Sequence, residues 1–270
     1  MAGVGKRGVI TVTLVAGVFL FLVFNMSIWE SLLGVIFPRE QEVVYPRADL
    51  SQLLGEHLVL VLVSSAAAVI AGTSIGIAVT RPAGRAWLGI VNDISSLAQT
   101  IPPVAVLALA VPSIGFGFKP TVLALFLYSI LPIIRNTISG IESVPPRLLE
   151  AAGGLGMTKT QVLVRVELPL SARLILAGIR TSVVINVGTA TVGAVAGAGG
   201  LGTPIIAGLV RENPAFVLEG ALVAALLALI LDQLMARGEE YIFQGVVLPK
   251  RFRRGRMNMS EEVAPGEGNE

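Results

Sequence analysis

The sequence predicts an all-α, polytopic integral membrane protein with about six transmembrane helices, and three observations carry that expectation. Of its 270 residues 54% are hydrophobic and 14% charged, and the mean hydropathy is +0.80. A soluble domain carries roughly 25% charged residues. Several charge-free runs reach the about 20 apolar residues that a ~30 Å hydrocarbon core requires at ~1.5 Å per helical residue. Finally, the chain has no cysteine and one histidine, His57, which excludes thiol chemistry, thiolate zinc sites and multi-histidine metal or haem ligation, so no cofactor is implied.

Between charges, the apolar runs are residues 8–29, 57–80, 94–118, 120–134, 181–210 and 220–231. The first follows Lys6 and Arg7, exceeds the apolar region of a signal peptide and lacks an A-x-A site after Met26, so it reads as a retained helix. Pro102-Pro103 breaks the third. The two short runs become spans once extended past Arg135 and back through Glu219. The run 181–210 is too long for one span, and its seven glycines from Gly188 to Gly208 predict a helix, a turn and a partly re-entrant piece, permitted only where protein or a water-filled cavity covers the backbone.

Six spans place all of the 20 Lys and Arg except Arg39, Arg47, Lys119 and Arg211 on the side of the N-terminus. The positive-inside rule then puts both termini in the cytoplasm of a cell-membrane protein, makes 27–56 external, and makes 139–172 the largest internal loop. Past the last span, the basic cluster 250–256 reads as a stop against anionic headgroups rather than a nucleic-acid site, and 260–270 as an acidic, disordered tail. Arg135 and Arg180 are expected to anchor helix ends, Asp232 to pair with Arg237, and His57 to be an interfacial hydrogen bonder.

The internal loop carries the densest signal. Pro146 suits a first helical turn, and Leu148, Leu149, Ala152 and Leu155 then share a face. Gly153, Gly154 and Gly156 end that helix. Thr158 and Gln161 have the spacing of a capping box for a second helix, with Val162 and Val166 on its apolar side, and Pro169 is expected to stop it. The expected product is an amphipathic helical hairpin standing out of the membrane, able to lie on lipid or fit a partner's cleft.

Within this loop Glu150-Ala151-Ala152, three residues, Gly156, nine residues, then Val166-x-Leu168-Pro169 resembles the EAA loop of binding-protein-dependent ABC importer permeases, with Val166 where isoleucine is usual. Flanking segments, Gln99-Thr-Ile-Pro-Pro and Gly197-Ala-Gly-Gly-Leu-Gly202 among them, are similar to the osmoprotectant branch, which imports glycine betaine, choline and carnitine. The resemblance implies a five-helix type I importer core at 53–237, after an N-terminal helix and external segment at 1–52 and before a cytoplasmic tail at 238–270. It implies that Glu150, Ala151, Ala152, Gly156, Leu168 and Pro169 contact a separate ATP-binding subunit, which hydrolyses the ATP. A second permease subunit, identical or paralogous, and an external substrate-binding protein complete the implied assembly. A methionine-type importer permease is the alternative within the family, and an ion-gradient-driven transporter a more distant one.

Gly197–Gly202 also fits G-x-G-x-x-G, and Gly153–Thr160 is similar to a Walker A loop. The first lacks a soluble βαβ context, the second lacks the glycine before Lys159, and membrane packing is the reading preferred for the glycines. Polar residues at membrane depth face a pathway or pair within the bundle. Gln99, Thr100, Asn186 and Thr189 are the candidates for a translocation path, interhelical hydrogen bonding being the other reading of each. The spans hold no cluster of Trp and Tyr able to cage a quaternary ammonium, which leaves substrate choice to the external binding protein.

Overall fold

Hydrocarbon offers backbone amides no partner, so a chain crossing it bonds within each segment, and the described residues are helical with no strand. The computed structural model describes residues 2–243, with side-chain surroundings from residue 12 onward. The basic cluster 250–256 and the acidic tail 260–270 lie outside the described residues.

Eleven α-helices follow in order: α1 Ala2–Phe24, α2 Met26–Ile36, α3 Leu50–Thr80, α4 Leu88–Ala98, α5 Pro103–Ile114, α6 Phe118–Glu142, α7 Pro146–Gly154, α8 Lys159–Val162, α9 Leu168–Ala190, α10 Gly202–Arg211 and α11 Pro214–Phe243. Three of them, α3, α6 and α11, are singly long and apolar enough to cross a membrane. Two bent pairs, Val12–Phe24 with α2 (86°) and Arg85–Ala98 with α5 (96°), bring the number to as many as five when each pair is counted as one broken span. The remaining long helix, α9, packs against α3, α6 and α11. Outward faces of the long helices are apolar, with Ile70 71% and Leu109 77% exposed, a surface that suits lipid and not water.

Small residues bring the central helices together. A Cβ on Gly76 of α3 would stand 2.6 Å from Thr137 of α6, and one on Gly178 of α9 would stand 2.5 Å from Asn136 of α6, close approach of the kind membrane helices use where apolar surface gives no driving force. Ser182 Oγ on α9 donates to the Ser129 carbonyl on α6 at 2.7 Å. At one end of the bundle Leu50, Leu53, Leu201 and Phe216 form a core with Trp29 and Leu33 of α2.

Four expectations change on inspection. The first apolar run is a continuous helix only to Phe24: Asn25 donates its side-chain amide back to the Phe21 carbonyl at 2.8 Å, side-chain competition of the sort that ends helices, and α2 leaves almost at a right angle. His57 is 0% exposed, and its Nε2 donates to the Val187 carbonyl of α9 at 3.0 Å. Asp232 pairs with Arg180 through two bonds of 2.6 and 2.7 Å. Arg237 instead meets Glu240 at 2.9 Å, because residues five apart on a helix point about 140° away from each other while residues three apart are neighbours. Pro169 does not stop a helix but sits in the first turn of α9.

The run 181–210 divides into the second half of α9, a 3₁₀ segment Thr191–Ala196, a turn, and α10. In that turn Gly197, Gly199 and Gly200 have φ of 73°, 80° and 77°, and a Cβ on Gly202 would collide with the Thr191 carbonyl. The glycines thus serve a close backbone turn, and no strand precedes them.

Candidate coupling hairpin and translocation path

The hairpin is fixed at its tip by two local motifs set back to back. At the end of α7, Met157 N–H donates to the Ala152 carbonyl at 3.1 Å and Gly156 N–H to the Gly153 carbonyl at 2.9 Å, with Gly156 left-handed at φ 77°. This pairing is a Schellman closure, which needs a residue that tolerates positive φ. Immediately after, Thr158 Oγ1 accepts the Gln161 N–H at 3.3 Å while Gln161 Oε1 accepts the Thr158 N–H at 2.8 Å, the capping box that the spacing predicts.

At the hairpin's base the chain passes through a π-turn, Leu163–Glu167, before α9. Leu168 N–H donates five residues back to the Leu163 carbonyl. Pro169 has no N–H to give, so the wider turn falls where an α-helical ladder would have lost a bond.

Glu150, Ala151 and Gly156 are exposed, Ala152 is buried, Leu168 is half-buried and Pro169 exposed. Leu155, 83% exposed, and Leu148, 40% exposed, leave apolar surface open along α7. An acid, small residues and exposed leucines thus share the open surface of a doubly capped hairpin.

The path candidates are not brought together. Gln99 and Thr100 are exposed at the break between α4 and α5, with Thr100 Oγ1 donating to the Leu97 carbonyl at 2.7 Å. Thr189 is half-buried on α9 and donates to the Ile185 carbonyl at 2.9 Å. Asn186 is 1% exposed, and its amide donates to Ser64 Oγ at 2.7 Å and Ser65 Oγ at 2.8 Å on α3. It therefore joins α9 to α3. Arg135, within α6, donates to Ser96 Oγ of α4 at 3.0 Å.

Two acids that the sequence reading left aside hold the end of the bundle opposite the hairpin. Glu219, 0% exposed on α11, accepts the Tyr45 N–H at 2.8 Å, and Glu56 on α3 accepts the Gly200 N–H at 2.9 Å. Asn213 caps α11 by accepting the Ala215 and Phe216 N–H groups at 3.0 and 3.2 Å, and its amide donates to the Glu42 carbonyl at 2.8 Å. Tyr45 packs edge-on against Phe216. Residues 41–49 are thereby strapped across the start of α11. The available signal was Glu219 itself, an acid inside apolar sequence.

A profile described as binding-protein-dependent transport system inner membrane component matches residues 52–240. The chain belongs to this family of importer permeases. It is 41% identical to an osmoprotectant import permease protein of Salmonella typhimurium (OsmY) over 81% of this chain and 90% of that one. It is 40% identical to a glycine betaine/carnitine/choline transport system permease protein of Bacillus subtilis (OpuCB) over 70% of this chain and 86% of that one. Among solved structures, an inward-facing MetNI methionine ABC transporter aligns with a TM-score of 0.58 at 24% identity, covering 71% of this permease and 93% of that chain. That likeness concerns the fold. The strap and α2 precede the segment that the family profile matches.

Proposed function

We propose that this permease forms, with a second permease subunit, the membrane path of an ATP-driven importer for a quaternary ammonium osmoprotectant. The observation that carries the reading is the doubly capped hairpin bearing Glu150, Ala151, Ala152 and Gly156, set at the far end of α3 from the strap. An ATP-binding subunit docks on that hairpin and performs the hydrolysis, and a substrate-loaded binding protein docks at the strapped end. The distribution of Lys and Arg supports a cytoplasmic hairpin and cytoplasmic termini. Relatives named for glycine betaine, carnitine and choline transport support the substrate class over methionine. Leu168 and Pro169, the first two residues of α9, join the hairpin's base to that helix. Gln99, Thr100 and Thr189 border the path, and Asn186 supports it from between the helices. ATP binding in the partner draws the hairpins together and shifts the permeases between inward- and outward-open populations.

Sidedness is checked by labelling, since the chain lacks native cysteine. Both Gln41 and Thr160 are exposed. Gln41→Cys is expected to react with an impermeant thiol reagent in intact cells and Thr160→Cys only after lysis. External labelling at position 160 would reverse the orientation and remove the docking site from the cytoplasm.

Transport is checked in proteoliposomes holding the permease with its ATP-binding and binding-protein subunits. Labelled glycine betaine, carnitine or choline should accumulate only with ATP on the hairpin's side. Accumulation of methionine instead would retain the machine and change its substrate. Uptake by the permease alone on a proton or sodium gradient would overturn the proposal.

A further inference from the structure

The chain enters the hairpin from α6 and leaves it into α9, and a third helix, α3, is tied to its base. Arg81 ends α3 in an extended conformation (φ −81°, ψ 154°), and its Nη1 donates to Glu167 Oε2 at 2.6 Å across 86 residues of sequence. The same guanidinium donates through Nη2 and Nε to Thr80 Oγ1 at 3.1 and 3.4 Å, while the Thr80 hydroxyl donates to the Ile77 carbonyl at 2.8 Å. The arginine fork is thus held to α3 on one side and to the acid on the other.

Glu167 is the last residue of the π-turn, with its side chain 9% exposed against 27% for Arg81. Its carbonyl accepts Ser171 Oγ at 2.8 Å, and Ser171 lies against Gly140 of α6, where a Cβ would come within 3.0 Å. The acid therefore stands on a rigid floor of α6 and α9. Above it, a cleft of about 630 Å³ lies between the 81–85 turn and Gly153, Met157 and Lys159 of the hairpin. Thr80 and Arg81 line that cleft on one side and the tip of the hairpin on the other, and the ion pair marks its lower edge.

We propose that Arg81 and Glu167 pin α3 to the base of the hairpin, so that a pull on the hairpin displaces α3 and α9 together. The inference rests on the coupling role given to the hairpin above. Both residues are positioning residues: the pull arises in the ATP-binding subunit, and the pin sets which membrane helices receive it. A mostly buried, charge-assisted bond suits the task, because it is short and directional and loss of one partner leaves the other charge uncompensated. The π-turn places this contact where the helical ladder already deviates, a location at which functional movement is common.

The test uses the reconstituted complex, with labelled glycine betaine, carnitine and choline supplied together. Three quantities are read: ATP-binding subunit retained on the permease, binding-protein-stimulated hydrolysis, and uptake per ATP. Glu167→Gln and Arg81→Glu are expected to retain the subunit and hydrolyse ATP, while uptake per ATP falls about tenfold, within the usual range of coupling between sites. Combining Arg81→Glu with Glu167→Arg should restore most of the loss, as a directly interacting pair does in a double-mutant cycle. Where charge reversal blocks insertion, Arg81→Lys, which retains charge but not the fork, should give an intermediate loss.

Unchanged uptake per ATP in Glu167→Gln overturns the pin. So does a double exchange no better than either single change, since the residues then act apart. Loss of the ATP-binding subunit from the single variants overturns it differently: the pair would shape the docking face, and the hairpin's role would stand. A Gly156→Leu permease that retains both subunit and coupling removes the hairpin's role and the pin with it.

Discussion

Gly156→Leu is expected to leave the permease inserted in the membrane but to reduce co-purification of its ATP-binding subunit by about tenfold or more. Gly156 is left-handed at φ 77°, a conformation costing a residue with a Cβ roughly 1–2 kcal/mol, and ~1.4 kcal/mol is a factor of ten in an equilibrium. Among the described residues, none beyond its two chain neighbours lies within 4 Å of the position a Cβ would take, so the damage within the permease is conformational and any collision is with the docked partner. Gly156→Asn separates the two effects, since asparagine tolerates left-handed backbone. Retained docking in Asn and lost docking in Leu would trace the loss to a strained Schellman closure, whereas loss in both would point to a side chain colliding with the docked partner. Wild-type retention in both would show that the ATP-binding subunit does not use this hairpin.

Gly202→Ala is expected to have the largest effect on the fold itself. Its Cβ would run into the Thr191 carbonyl, which is backbone and cannot swing aside as a flexible side chain would. Overpacking of this kind typically destabilises by about 1–3 kcal/mol and occasionally more. The variant should therefore yield less monodisperse protein from detergent and melt at a lower temperature. Gly188→Ala is the matched control, because Gly188 lies in the last turn of α9 with open space where the Cβ would go, and alanine there loses less conformational freedom on folding than glycine, a gain of at most roughly 0.5–1 kcal/mol. Opposite signs at two glycines of one stretch are the expected result. Equal melting temperatures would contradict the close turn between α9 and α10.

What was legible in the sequence was chiefly local. Thr158 and Gln161 announce a capping box because both partners lie within four residues, and Gly156 announces a helix end because positive φ narrows the choice of residue. The apolar runs announce spans because bilayer thickness fixes their length. Features decided across the bundle were hidden. Nothing near His57 shows that Val187 will offer it a carbonyl, and nothing near Asp232 shows that Arg180, 52 residues earlier, will out-compete Arg237. Asn186 illustrates the limit for the path: the same amide suits an aqueous lining or a helix-to-helix bond, and its bonding partners Ser64 and Ser65 lie more than a hundred residues away in sequence. Pro169 was misread for a different reason. Proline ends a helix when its missing N–H is left uncompensated, and here the π-turn before it moves the bond to Leu168.

The strap is bound by what every amino acid but proline possesses. Glu219 holds position 45 by its main-chain N–H, and Asn213 holds position 42 by its main-chain carbonyl. Substitution of the side chains at 42 or 45 leaves both bonds available, and only proline at 45 deletes a donor. The hydrogen-bonded part of the fastening is thus independent of the side chains at 42 and 45, while the Tyr45 ring against Phe216 is the part that is not. Such a rim can exchange its outward side chains to suit a different soluble partner while the helices beneath it, and the route between them, stay as they are.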